Sequence, residues 1–258
     1  METSMTTCHQ IPLLRSSPAR VPSWGLFPVL MITVGVLCAP RVIAADALNT
    51  YTAHYETSMY GMNLNIERKL VETKAGYQLS SQGKSFAASL SEVADFSVSD
   101  GRIVGQQFIY QLKSLIKRRR EVHFLPEQGI IRSLKKKKWT EFPWEADALD
   151  RLSQQEQLRL TLINAEENGD AAPESLTFVV IDGPKRGEKI LDLVGFEELD
   201  TALGPLETLH YRRRYEADSD RSSDIWVAPS LDFLMVLTRH EEDGSPVELS
   251  ITSAELDG

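Results

Sequence analysis

The sequence predicts a mainly β fold: a single antiparallel, strongly curved sheet or half-open barrel with about one helix. Three observations carry this expectation. Short runs of alternating apolar and polar residues recur along the chain. Turn signals part them at spacings of roughly 10 residues, the rhythm of antiparallel sandwiches and barrels. One longer, Gln-rich segment breaks the alternation.

In MNLNIERKL, Met62, Leu64, Ile66, Arg68 and Leu70 fall on one side of a strand, because successive side chains of a strand alternate faces. Glu72 to Gly76 form a turn, and GYQLSS begins the next strand. In DFSVSDGRIVGQQFIYQL, the pair Asp100-Gly101 stands between two apolar segments. These residue types tolerate the positive φ that a tight hairpin turn demands. SLTFVVIDGPKRGEKILDLVG repeats the design around Asp182-Gly183-Pro184, and LETLHYRRRYE, SDIWVAP, LDFLMVLTRHEEDG and PVELSITSAEL complete the series. Trp226, in SDIWVAP, is expected to be buried. The helix is expected in DALDRLSQQEQLRLTLINAEENG, with Asp147 as N-cap and Gly169 as the stop. Leu149, Leu152, Leu160 and Ile163 share one helical face, whereas Leu158 and Leu162 do not. LRLTLI alone also fits a strand, and the Gln-rich middle tips the balance to helix.

The start of the chain has a different character. Arg15 and Arg20 precede an apolar run from Trp24 to Ala39, and VIAADA follows Pro40 and Arg41. Basic, apolar, then small is the order of a secretory signal peptide. Residues 1–44 are therefore expected to be a signal peptide, and residues 45–258 a single β-rich domain in the periplasm. The alternative is an inner-membrane anchor at residues 24–39, although that run is shorter than the roughly 20 residues a spanning helix needs. Cys8 and Cys38, the 2 cysteines, both precede the cleavage point, so the mature chain is expected to hold no disulfide or thiol metal site.

The full chain has a net charge of -9. Removing residues 1–44 takes Lys+Arg from 28 to 25 and Asp+Glu from 37 to 36, which leaves -11. That balance, together with export, argues against nucleic-acid binding. Enzyme motifs are missing as well. GPKRGEK has the wrong spacing for a phosphate loop, and His54, His123, His210 and His240 make no zinc spacing with one another. Asp218, Asp220 and Asp224 lack the glycine and distal glutamate of a calcium loop, so a solvated turn is the expectation there. We expect a non-enzymatic protein with no cofactor and no metal.

Three stretches carry a family likeness: ALDRLSQQEQLRL, LGPLETLHYRRR and IWVAPSLDFLMVLTRHEEDGSPVEL. From about Leu48 onward the chain resembles an uncharacterised family of bacterial exported proteins, known only as a domain of unknown function. Leu234-Met235-Val236 stands where that family tends to have Leu-Pro-Val. The resemblance implies no catalytic residue. Its strand pattern is similar, more distantly, to the half-open β-barrels of periplasmic lipoprotein carriers, which hold acyl chains in an apolar concavity.

One stretch runs against the acidic balance: KRRREVHFLPEQGIIRSLKKKKW. With Pro126 to Gly129 as the turn, Leu125 faces Ile130, Phe124 faces Ile131, and Arg120, Arg119 and Arg118 face Lys135, Lys136 and Lys137. Like charges directly opposite each other destabilise a ladder, so something must neutralise them. Nearby carboxylates, a solvated sheet rim, or an anionic ligand each fit. Trp139, Phe142 and Trp144 follow at once, as aromatics do at a polar–apolar interface. The site expected on this basis has Arg118, Arg119, Arg120, Lys135, Lys136, Lys137 and Lys138 meeting an anionic group. Phe108, Phe124 and Leu125 would meet its apolar part. The partner would be an anionic lipid or envelope polymer. The alternative function is a structural or protein-interaction module without a small ligand, with an envelope protein as partner.

Overall fold

The computed structural model describes residues 48–257, apart from 60–61, 86–87, 116 and 243; the expected signal peptide lies outside the described residues. Eight strands run first: β1 (Thr50–Met59), β2 (Met62–Thr73), β3 (Gly76–Lys84), β4 (Ser89–Ser99), β5 (Arg102–Lys113), β6 (Arg118–Leu125), β7 (Ile130–Lys135) and β8 (Lys138–Pro143). A two-residue strand β9 (Ala148–Leu149) and helix α1 (Ser153–Asn168) follow. The rest is β10 (Ser175–Asp182), β11 (Lys185–Thr201), β12 (Gly204–Arg213), β13 (Ser222–Ala228), β14 (Leu234–Glu242) and β15 (Ser245–Asp257).

All strands belong to one sheet, in the order β8-β7-β6-β5-β4-β3-β2-β1-β15-β14-β13-β12-β11-β10-β9. Two meanders are joined where β1 pairs with β15, and the β9–β10 pairing is parallel while the rest are antiparallel. The ends of this order, β8 and β9, are consecutive in sequence and separated only by residues 144–147. Laid flat at about 4.8 Å per strand, the sheet would put its ends roughly 67 Å apart. The linker spans at most about 18 Å when fully extended. The sheet must therefore curl almost a full turn, yet it does not close, because no backbone ladder joins its two ends among the described residues.

Helix α1 lies within the curl. Glu156 accepts a hydrogen bond from the Tyr51 hydroxyl of β1 at 2.6 Å, Gln155 one from Arg68 of β2 at 2.7 Å, and Gln157 one from the Ile103 amide of β5 at 2.7 Å. Arg159 reaches Asp232, just before β14. Over residues 153–165 the helix has no exposed residue, only its last turn, Glu166 to Asn168, reaches solvent, and Leu158, Leu160 and Leu162 are all buried. This is why the leucines do not keep to one stripe. Where Tyr51, Arg68, Glu156 and Arg159 meet, the remaining gap is about 10 Å³, no larger than a single water.

The helix boundaries correct one expectation. Asp147 does not cap it. The Asp150 carboxylate accepts from the Leu152 and Ser153 amides at 2.7 and 3.0 Å and from the Ser153 hydroxyl at 2.6 Å. Burial of that carboxyl raises its pKa even though these three bonds favour the ion. Gly169 ends the helix as expected, in the left-handed region at φ 72. Asp100 and Gly101 form the β4–β5 turn with φ 52 and 70, the positive values that made the pair a hairpin signal. Gly105 permits a close approach of another kind: a Cβ there would stand 2.7 Å from the Phe124 ring.

Candidate functional site

The basic residues sit at the rim where the two ends of the sheet meet. The β6–β7 register pairs Leu125 with Ile130, Phe124 with Ile131 and Arg120 with Lys135, as the sequence predicts. There the predicted pairing stops. Lys136 and Lys137 form the β7–β8 turn, with φ 51 and 63, so Lys135 faces Lys138 across the next hairpin. Arg119 and Arg118 therefore do not face Lys136 and Lys137; they pair instead with Gln111 and Leu112 of β5. A two-residue turn with both φ positive matches the twist of the flanking strands. It costs about 1–2 kcal/mol for each residue with a Cβ, and nothing in a lysine run signals it.

This arrangement opens a concavity of about 890 Å³ between the end of the β5–β6 hairpin and the lysine turn. Eight cations line it: Lys113, Lys117, Arg118, Arg119, Arg120, Lys135, Lys136 and Lys137. Leu112 and Leu134 give it an apolar floor. Carboxylates answer three of the cations. Arg119 donates to Glu121 at 2.5 Å. Arg120 Nη1 lies 3.0 Å from Asp182, and Lys135 Nζ lies 3.6 Å from the same carboxylate. Asp182 thus bridges the Arg120–Lys135 cation pair from the far end of the sheet, and ion pairs hold the seam where a ladder is missing. Burial would raise the Glu121 carboxyl, but hydrogen bonds from Arg119 and from His123 at 2.8 Å outweigh it and hold the pKa below the usual range. Lys113, Lys117, Arg118, Lys136 and Lys137 make no ion pair among the described residues.

The other predicted site residues lie elsewhere. Lys138 is exposed on β8. Phe108 and Phe124 are 2% and 6% exposed and belong to the core, so neither offers a surface to a ligand. Leu125 is half-buried at the opposite end of β6 from Arg118, roughly 23 Å along the strand. Leu112 and Leu134 take the place these three were expected to fill. Only the register, with Leu112 opposite Arg118, reveals this. Trp139 is 39% exposed, with the Arg132 guanidinium 4.9 Å from its ring centre and the His123 ring 5.5 Å away.

A second polar group is buried away from this rim. His210 stacks on Trp226 with ring centres 4.2 Å apart. Its Nε2 lies 2.6 Å from Asp224 Oδ1, its Nδ1 lies 3.0 Å from Glu197 Oε1, and Trp226 Nε1 donates to Glu197 Oε2 at 2.8 Å. The bond from Trp226 is the chief cause that holds the Glu197 carboxyl below its usual pKa. Carboxylates take both ring nitrogens, so the cluster works as a clasp across β11, β12 and β13. Asp224 is also bound by Arg212 at 2.7 Å, while Asp218 and Asp220 lie in an exposed loop.

A curled, helix-filled open sheet with a basic rim is the class that this geometry defines. The protein of unknown function family DUF3108 matches residues 50–252, and the chain belongs to that family. No curated protein matches the sequence. Among solved structures, the fold is similar to the crystal structure of a beta-barrel-like protein of domain of unknown function DUF1849 from Brucella abortus. The TM-score is 0.51 at 8% identity, over 81% of this chain and 98% of that one. At this identity the likeness is one of fold alone.

Proposed function

We propose that the protein is an exported, non-enzymatic binding protein of the cell envelope, and that its basic concavity takes the anionic headgroup of an envelope lipid or polymer. One observation carries the reading: five cations without a carboxylate partner among the described residues surround an open space floored by two leucines. Clustered exposed cations attract anionic membrane surfaces at about 1 kcal/mol per residue. Leu112 and Leu134 suit the glycerol or first acyl carbons beneath such a headgroup. The reading rests on headgroup recognition, since α1 occupies the space where a carrier of this shape would hold acyl chains. Native mass spectrometry of protein from its own periplasmic extract tests it. A co-purified phosphorylated amphiphile supports the proposal; a mass equal to the bare chain in gentle conditions counts against it.

The alternative, a protein-interaction module, draws on β11, where Val194 and Phe196 are 50% and 75% exposed. In that case a partner chain, rather than a lipid, would appear in the same spectrum.

A further inference from the structure

The first turn of α1 and strands β11 to β14 border a separate concavity of about 390 Å³. Three cations line it: Arg151, Lys189 and Arg213. Arg151 is answered, since it donates twice to Glu92. Among the described residues the other two make no ion pair. Lys189 Nζ donates to a neutral acceptor, Gln154 Oε1, at 3.3 Å. The Arg213 guanidinium stands 4.5 Å over the Tyr215 ring, and its buried Nε has no hydrogen-bond partner among the described residues. Asp224 also borders the space, with its Oδ1 held by His210 and Arg212. Burial, then repulsion from Arg213 and Arg151, pushes the Lys189 ammonium down to about 8. A pair of cations held together at this cost calls for an anion between them.

We infer that this chamber is a second, separate anion site, which holds a compact phosphate-monoester or carboxylate group between Lys189 and Arg213. Both side chains make charge-assisted hydrogen bonds to such oxygens, and the guanidinium fork can do so through two N–H groups. Ser223, Thr238 and Gln155 supply neutral polar groups around it. At about 390 Å³ the space falls within the size range of ordinary small-molecule sites, about 300 to 1,000 Å³. It shares no lining residue with the rim concavity, so the two sites can be separated by mutation.

The experiment is isothermal titration of the purified protein at pH 7 with inorganic phosphate and, separately, with succinate, at matched ionic strength. Wild type should bind one of them saturably, one per chain, and the tighter probe identifies the class. Lys189→Gln and Arg213→Gln should each weaken binding by about tenfold or more, the equivalent of ~1.4 kcal/mol. Lys189→Arg should keep it, and a rim variant with Arg118, Lys136 and Lys137 changed to Gln should leave it unaltered. Retained binding in both chamber variants, loss in the rim variant, or no saturable binding of either probe would overturn the inference. A readout without mutation is the pH titration of the Lys189 Cε signal by NMR. Saturating the tighter probe should move its midpoint upward, and an unmoved midpoint contradicts the site.

Discussion

Replacing Lys189 by Met should make the protein more stable at neutral pH. The unpaired ammonium is held at about 8 against its usual 10.5, which corresponds to roughly 3 kcal/mol of unfavourable folding energy at 1.36 kcal/mol per pH unit. Met keeps all but the terminal atom of the side chain's length and removes the charge. It also removes the bond to Gln154, worth about 1 kcal/mol. The net expectation at pH 7 is a gain of about 2 kcal/mol. The sign of the pH dependence follows from proton counts. Between about 8 and 10.5 the unfolded chain holds the Lys189 proton and the folded one does not, so wild-type stability rises with pH through that window. Lys189→Met loses this rise, and its advantage shrinks from pH 7 to pH 10. Urea unfolding in phosphate-free buffer at both values measures the effect, with an unchanged m-value as the check on two-state behaviour. A variant less stable than wild type at pH 7, or an advantage that does not shrink by pH 10, would refute the reasoning.

Trp226→Ala should cost about 3–5 kcal/mol in the same assay, because the ring is buried against His210 and clasped by Glu197; a loss under about 1 kcal/mol would mean the clasp carries no weight. Asp182→Asn should cost only about 1 kcal/mol or less, since its side chain is 42% exposed. The same change should strengthen binding to anionic liposomes by freeing Arg120 and Lys135, and weaker binding would place Asp182 in some other role. If residues 1–44 are a cleaved signal, intact-mass analysis of the periplasmic fraction should show a chain that begins near Ala45; a full-length mass in the membrane pellet would contradict export.

Local signals were legible and distant ones were not. Alternation and the Asp-Gly pairs identify the strands because each depends on residues one to three positions apart. Gly169 marks the helix end for the same reason. The helix itself was ambiguous because a segment enclosed on all sides over residues 153–165 loses its stripe there, and Leu158 looks misplaced until a sheet surrounds it. In the basic hairpin, register was legible from the Pro126 turn out to Arg120 and Lys135. It failed at Lys136, where backbone twist placed two lysines in a turn normally filled by Asn or Gly. Asp182 lies 62 residues from Arg120 and meets it only because the linker after β8 forces the sheet to curl. No local pattern contains that contact, and it determines which cations of the cluster remain free.

Those free cations supply the direct test of the rim. Among the described residues Arg118, Lys136 and Lys137 have no carboxylate to lose, so changing all three to Glu alters the concavity without breaking an ion pair there. Flotation with liposomes containing anionic lipid should carry wild type upward and leave the triple variant below, with thermal melts confirming that both are folded. Binding of wild type should fade between 0.1 M and 1 M salt, as the Debye length falls from about 10 Å to about 3 Å. Equal flotation of the two proteins, or none by either, would contradict anion binding at the rim.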